Sequence, residues 1–166
     1  MAITEVVEKK IGIAQYGFAS PPERLITLGL GSCVGVTLYD RRTRWGAMVH
    51  ILLPDSKSFK DGSNPAKFAD TGIVLIYKEL EKKGSRKSDL EAKLAGGAKM
   101  FNFNDSKVDS LNIGERNVKK CLETLEILKI RITGQDTGEN YGRTMILDTA
   151  DGIVYIRTAG RQIKTI

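Results

Sequence analysis

The chain has 166 residues, 41% hydrophobic and 28% charged, with a net charge of +6, one histidine and two cysteines. That length suits one domain over residues 1–166 with a sizeable core, and no apolar run approaches the roughly 18 residues of a membrane span. The start, "MAITEVVEKK", lacks the apolar centre of an export signal, and two cysteines cannot make a disulfide framework, so a cytoplasmic protein not embedded in a membrane is expected. The basic residues are scattered and no aromatic ladder interleaves with them, which reads as a solvated face and not as a nucleic-acid site.

In chain order, residues 10–18, "KIGIAQYGF", read as a first strand, and "SPPERL" breaks it because two prolines cannot donate to a ladder. A second strand spans 24–30, apolar on both faces and so fully buried. Gly31 and Ser32 make a turn before a strand at 33–40, rich in Val, Thr, Leu and Tyr. "RRTR" is a polar turn and 45–53 returns as a strand, completing a hairpin. After a polar loop at 54–65 a helix is predicted, capped by Asn64, with Pro65 in its first position and Gly84 at its end. Phe68, Leu75, Ile76 and Leu80 give it one apolar face.

A short strand at 90–94 runs into "AGGA", and "NFNDSKVDSLN" is a polar loop. A second helix covers 113–128, with Val118, Cys121, Leu122, Leu125 and Leu128 on one side, so Cys121 belongs to the core. A strand at 129–134, a loop "DTGENYG" and a hairpin turning at Asp151 and Gly152 complete the chain. The expected class is α+β: a single-domain layered α/β sandwich, strand-rich, with two main helices.

The chemistry centres on Cys33, in "LGLGSCVGVTLYD", and His50, in "WGAMVHILLP". A two- or four-residue hairpin turn sets Cys33 opposite Leu52 and makes His50 its diagonal neighbour on one face; a three-residue turn would separate them. Histidine beside a thiol can take its proton and leave a thiolate paired with imidazolium. A tight Gly31–Ser32 turn could expose the sulfur and aim the Cys33 N–H at an oxyanion. The other reading is a packed thiol and a satisfied core histidine. One histidine and two distant cysteines cannot build a zinc site, and no metal or organic cofactor is called for.

"TLGLGSCVGVTLYD", "GAMVHILLPDS", "FADTGIVLIYKEL", "LEAKLAGGAKMF", "NIGERN" and "DTGENYGR", in that order from about residue 10 to 160, resemble the chemoreceptor glutamine deamidase family, CheD. The resemblance implies a Cys33 nucleophile, a His50 base and a catalytic Thr27, the last holding the second ring nitrogen of the imidazole. It implies hydrolysis of glutamine side-chain amides in the cytoplasmic helices of bacterial chemoreceptors, and in some members of glutamyl methyl esters. It implies binding to CheC, a phosphatase of phosphorylated CheY that competes with receptor. The implied fold is that of the cytotoxic necrotizing factor deamidases. A docking regulator of receptor–kinase signalling, with the cysteine idle, is the competing reading.

Gly96 and Gly97, and Asp136, Thr137 and Gly138, lie at strand ends where a helical substrate could approach backbone, or are simply turns. Phe101 and Phe103 either form a partner-docking patch or pack beneath their loop.

Overall fold

The hairpin around "RRTR" lies at the centre of the molecule. The computed structural model describes residues 5–59, 62–100 and 112–166. Strand β4 (Val34–Asp40) pairs antiparallel with β5 (Gly46–Ile51) in the register that sets Gly35 opposite His50 and Val34 opposite Ile51. At the turn, Oδ1 of Asp40 accepts from the backbone N–H groups of Arg42 and Thr43, fixing the register.

This sheet runs in the order β2 (Tyr16–Ala19), β5, β4, β6 (Leu90–Gly96), β7 (Arg131–Thr137). Alternation divides its central strands between two layers. Val34, Val36, Leu38, Ala47, Val49 and Ile51 pack beneath helices α1 (Ala69–Lys82) and α2 (Ile113–Leu128), against Ile73, Ile76, Leu80, Cys121 and Leu125. Cys33, Tyr39 and Met48 point the other way, into a second core with Leu25, Leu30, Met145 and Leu147. That core is closed by a second sheet, ordered β1 (Glu8–Lys10), β3 (Arg24–Leu30), β8 (Arg143–Asp148), β9 (Val154–Arg157), β10 (Lys164–Thr165). The layers are therefore helix, sheet, sheet, which bears out the α+β layered sandwich with two main helices.

Several local expectations change. The predicted strand at 10–18 is two strands in different sheets: β1 pairs parallel with β3, and β2 pairs antiparallel with β5. The crossing is a turn in which Ala14 takes a left-handed φ of 58° and Gln15 Oε1 accepts from the Gly12 N–H. Asn64 and Pro65 start a short 3₁₀ turn, Pro65–Lys67; Phe68 then extends to bridge Leu53 before α1 begins. Phe68 is buried from that extended position and is not part of the helical face. Strand β7 continues through Asp136 and Thr137 because β6 offers them ladder partners in Ala95 and Gly96. β10, unanticipated in the sequence, is two residues that pair with Tyr155 and Ile156 of β9.

Candidate functional site

The sequence predicts strand β3 to be buried on both faces, yet Leu28 is 49% exposed and Gly29 is exposed beside it. Thr27 pairs with Met145 and Leu30 with Arg143, so Leu28 and Gly29 form a bulge, with Gly29 at a φ of +69° that favours glycine. Beyond the bulge the chain turns through Gly31 and Ser32 and delivers Cys33 to the head of β4. Thr27, before the bulge, is fully buried and faces the other sheet.

There it meets His50. Thr27 Oγ1 lies 2.6 Å from His50 Nδ1 and also donates to the Ile11 carbonyl at 2.7 Å. A hydroxyl has one proton. With that proton on Ile11 O, Thr27 must accept from Nδ1–H, so the neutral imidazole carries its lone pair on Nε2. His50 is 0% exposed, and Nε2 has no hydrogen-bond partner among the described residues. Desolvation by burial lowers the His50 pKa to about 4, so the ring is neutral at physiological pH.

Gly35 makes this meeting of sheets possible. It sits directly across from His50, and a Cβ there would press on Met145 Sδ at 2.8 Å and Leu30 Cδ1 at 3.1 Å. With no side chain at that position, β3 and β8 close over β4 and Thr27 reaches the imidazole. Cys33 precedes Gly35 by two residues and so shares the His50 face. The thiol is 7% exposed, and burial raises its pKa above the ordinary value. Burial therefore favours the neutral thiol and the neutral imidazole, the latter with Nε2 unpartnered among the described residues. Cys121, fully buried on the inner face of α2, is raised strongly by the same cause.

The turn before Cys33 is held by its carbonyls. Gly31 O accepts from Ala98 N at 2.8 Å, Ser32 O from Asn117 Nδ2 at 3.0 Å, and Cys33 O from Gly97 N at 2.8 Å. Gly96 and Gly97 accordingly have an internal duty. A Cβ on Gly96, whose φ is +107°, would collide with Cys33 O, and one on Gly97 with Val118 Cγ2. Asp136 is bound to Arg143 at 3.2 Å and to Lys164 at 3.2 Å. Thr137 and Gly138 line a cavity of about 730 Å³ against α2, with Gly97, Lys99, Val118 and Leu122. Phe101 and Phe103 lie outside the described residues.

Two participants were not foreseen. The Ile11 carbonyl, which orients the Thr27 hydroxyl, is a backbone group from a segment that sequence patterning assigned to one continuous strand. Asn117, 0% exposed, is a buried amide on the inner face of α2, beside Gly114 and Cys121. A polar side chain four residues before Cys121 on that face was its only signal. No cluster of metal-ligating side chains occurs among the described residues.

The chain matches the family model described as CheD chemotactic sensory transduction over residues 52–158. That stretch begins just past His50, but full-length relatives cover the rest. A "Probable chemoreceptor glutamine deamidase CheD" of Moorella thermoacetica is 51% identical over 165 residues, 99% of this chain and 99% of its own. The protein of that name from Desulforamulus reducens is 54% identical over 159 residues, 96% of this chain and 95% of its own. The one from Clostridium tetani is 46% identical over 166 residues, all of both chains. Among solved structures, the Bacillus licheniformis hypothetical protein YfiH aligns with a TM-score of 0.40 and 13% identity, over 74% of this chain and 49% of that one.

Proposed function

The chain belongs to the CheD family, and we propose that its glutamine deamidase activity in chemotaxis runs through Cys33, His50 and Thr27, with chemoreceptors as substrate. The observation that carries this reading is the placement of the Thr27 hydroxyl between Ile11 O and His50 Nδ1, which leaves Nε2 as a free base on the face that Cys33 shares.

The steps balance with these groups alone. His50 Nε2 takes the thiol proton as Sγ of Cys33 bonds to the side-chain carbonyl carbon of a glutamine. The Cys33 N–H holds the resulting oxyanion. The tetrahedral species collapses, the carbon–nitrogen bond breaks, and the imidazolium proton leaves on ammonia. The thioester is then attacked by water, which gives its proton to Nε2; a second collapse releases glutamate, and the sulfur regains that proton. Thr27 accepts from Nδ1–H throughout and keeps the ring oriented, the part an acid plays in a triad. A neutral hydroxyl stabilises the imidazolium less than a carboxylate would, which suits a slow modifying enzyme. A glutamyl methyl ester would follow the same path with methanol leaving in place of ammonia.

The substrate is a glutamine on the cytoplasmic helices of a receptor, so the protein works in the cytoplasm as one domain over residues 1–166; no described helix is long and apolar enough to cross a membrane. CheC, and through it phosphorylated CheY, is the partner that competes with receptor for this surface. Mass spectrometry of a receptor cytoplasmic fragment tests the reading. Selected glutamines should become glutamates with the native protein and remain amides with Cys33→Ala; conversion by that variant at the native rate would overturn it.

A further inference from the structure

Asn117 Nδ2 donates to Ser32 O at 3.0 Å and to Leu52 O at 3.1 Å. Ser32 O belongs to the peptide unit whose N–H is that of Cys33. In a planar trans peptide the carbonyl and the N–H point in opposite directions. Holding that carbonyl under α2 therefore turns the Cys33 N–H away from the helix, toward its own sulfur, and no backbone carbonyl among the described residues accepts it. Leu52 follows His50 by two residues, just past the end of β5, where the hairpin register continued by one step sets it opposite Cys33. One amide thus ties together the two strand ends that carry the thiol and the imidazole.

A second feature sets this amide apart. Its Oδ1 is buried and has no hydrogen-bond partner among the described residues. An unsatisfied buried acceptor carries a desolvation cost that an apolar side chain would not, so the asparagine is not explained by packing alone.

We infer that Asn117 is a positioning residue that aims the Cys33 N–H at the oxyanion of the deamidation intermediate. This rests on the Cys33–His50 reading above. The neighbouring bonds point the same way: Gly31 O and Cys33 O are also pinned, by Ala98 N and Gly97 N. Among the three consecutive carbonyls, only Ser32 O is held by a side chain and can be released by substitution.

The test compares two reactions at the same sulfur. Deamidation of a receptor cytoplasmic fragment passes through an oxyanion; displacement of iodide from iodoacetamide by Cys33 does not. Asn117→Ala and the isosteric Asn117→Asp, which cannot donate when ionised, are measured in the full chain, with circular dichroism to establish folding. If Asn117 positions the N–H, kcat for deamidation falls roughly ten- to a hundredfold, within the range seen when an oxyanion donor is lost. KM and the Cys33 alkylation rate stay within about twofold of native, since neither depends on that donor. A merely structural role would disturb KM and alkylation together with kcat. Native kcat in either folded variant overturns the inference, as does a parallel change in alkylation. Cys33→Ala runs beside them: if it still deamidates, the catalytic reading itself has failed, whereas an inactive Cys33→Ala with fully active Asn117 variants removes only the role of Asn117.

Discussion

The Thr27 hydroxyl and the His50 imidazole meet at 2.6 Å across the two sheets, with the threonine proton already committed to Ile11 O. The direction of the hydrogen bond follows, and with it the tautomer. Thr27→Val keeps shape and β propensity but frees Nδ1. Its deamidation rate should fall on the order of a hundredfold, the scale of a mispositioned general base, while Thr27→Ser stays within about tenfold of native because the acceptor is retained. Nitrogen NMR of the ring should show the Nε2-protonated tautomer appearing in the valine variant. Native activity in Thr27→Val would refute the orienting role.

Burial raises the Cys33 thiol, so its alkylation should accelerate with rising pH well beyond neutrality instead of levelling off below the ordinary thiol range. Cys121, with no exposure on the inner face of α2, should label far more slowly in the native state. Mass-resolved iodoacetamide labelling across pH 6–10 distinguishes this from a preformed ion pair, which would already react at full rate near pH 6. Deamidation, whose active form has both groups neutral, should be flat near neutrality and decline only as pH falls toward about 4, where His50 takes a proton.

The same histidine predicts an acid sensitivity of the fold. Its folded pKa of about 4 lies below the ordinary imidazole value of 6.5, so the unfolded chain binds a proton in that interval and the native state does not. Stability from the neutral buried ring is complete above pH 6.5 and is lost as pH falls toward 4, by about 3 kcal/mol in total. Denaturant unfolding of native protein and His50→Gln at pH 7 and pH 4.5 should show the native protein losing the larger share. Equal losses would mean the ring is not the titrating group. Glu23 and Asp40, both lowered, add their losses further down, below the ordinary carboxylate range, and do so equally in the two proteins.

Gly96 and Gly84 both hold left-handed φ values, +107° and +93°, but differ in surroundings. A Cβ at Gly84 meets nothing within 4 Å, whereas at Gly96 it strikes Cys33 O. Gly84→Ala should cost only the backbone strain, about 1–2 kcal/mol, with activity unchanged. Gly96→Ala should be more destabilising and should reduce deamidation by displacing the Cys33 turn. Thermal unfolding and ammonia release measure both; an active, stable Gly96→Ala would show that β6 does not brace that turn.

Much of the site was legible because its signals are local. "GSC" and the only histidine stand out as residue types, and once turn length and Asp40 set the register of the hairpin between them, the shared face follows from alternation. Helix α2 was read at its observed bounds because Asn112 caps it and its apolar stripe has helical period. Helix α1 was misjudged at its start, since a cap and a proline serve a 3₁₀ turn as readily as an α-helix, and the Leu53–Phe68 bridge that separates the two is a contact between distant segments.

Composition, alternation and capping by themselves determined an α+β chain with two helices and a central hairpin, and allowed a cysteine and histidine on one face of it for a two- or four-residue turn. Only tertiary packing decided that Thr27 touches His50 and that Ile11 O orients Thr27, both through the second sheet, and that Asn117 reaches Ser32 O and Leu52 O from α2; burial then favours the neutral thiol and imidazole. Periodicity is a property of neighbours along the chain. Hydrogen bonds between layers, and the desolvation that moves a pKa, depend on which distant segments the hydrophobic cores bring together.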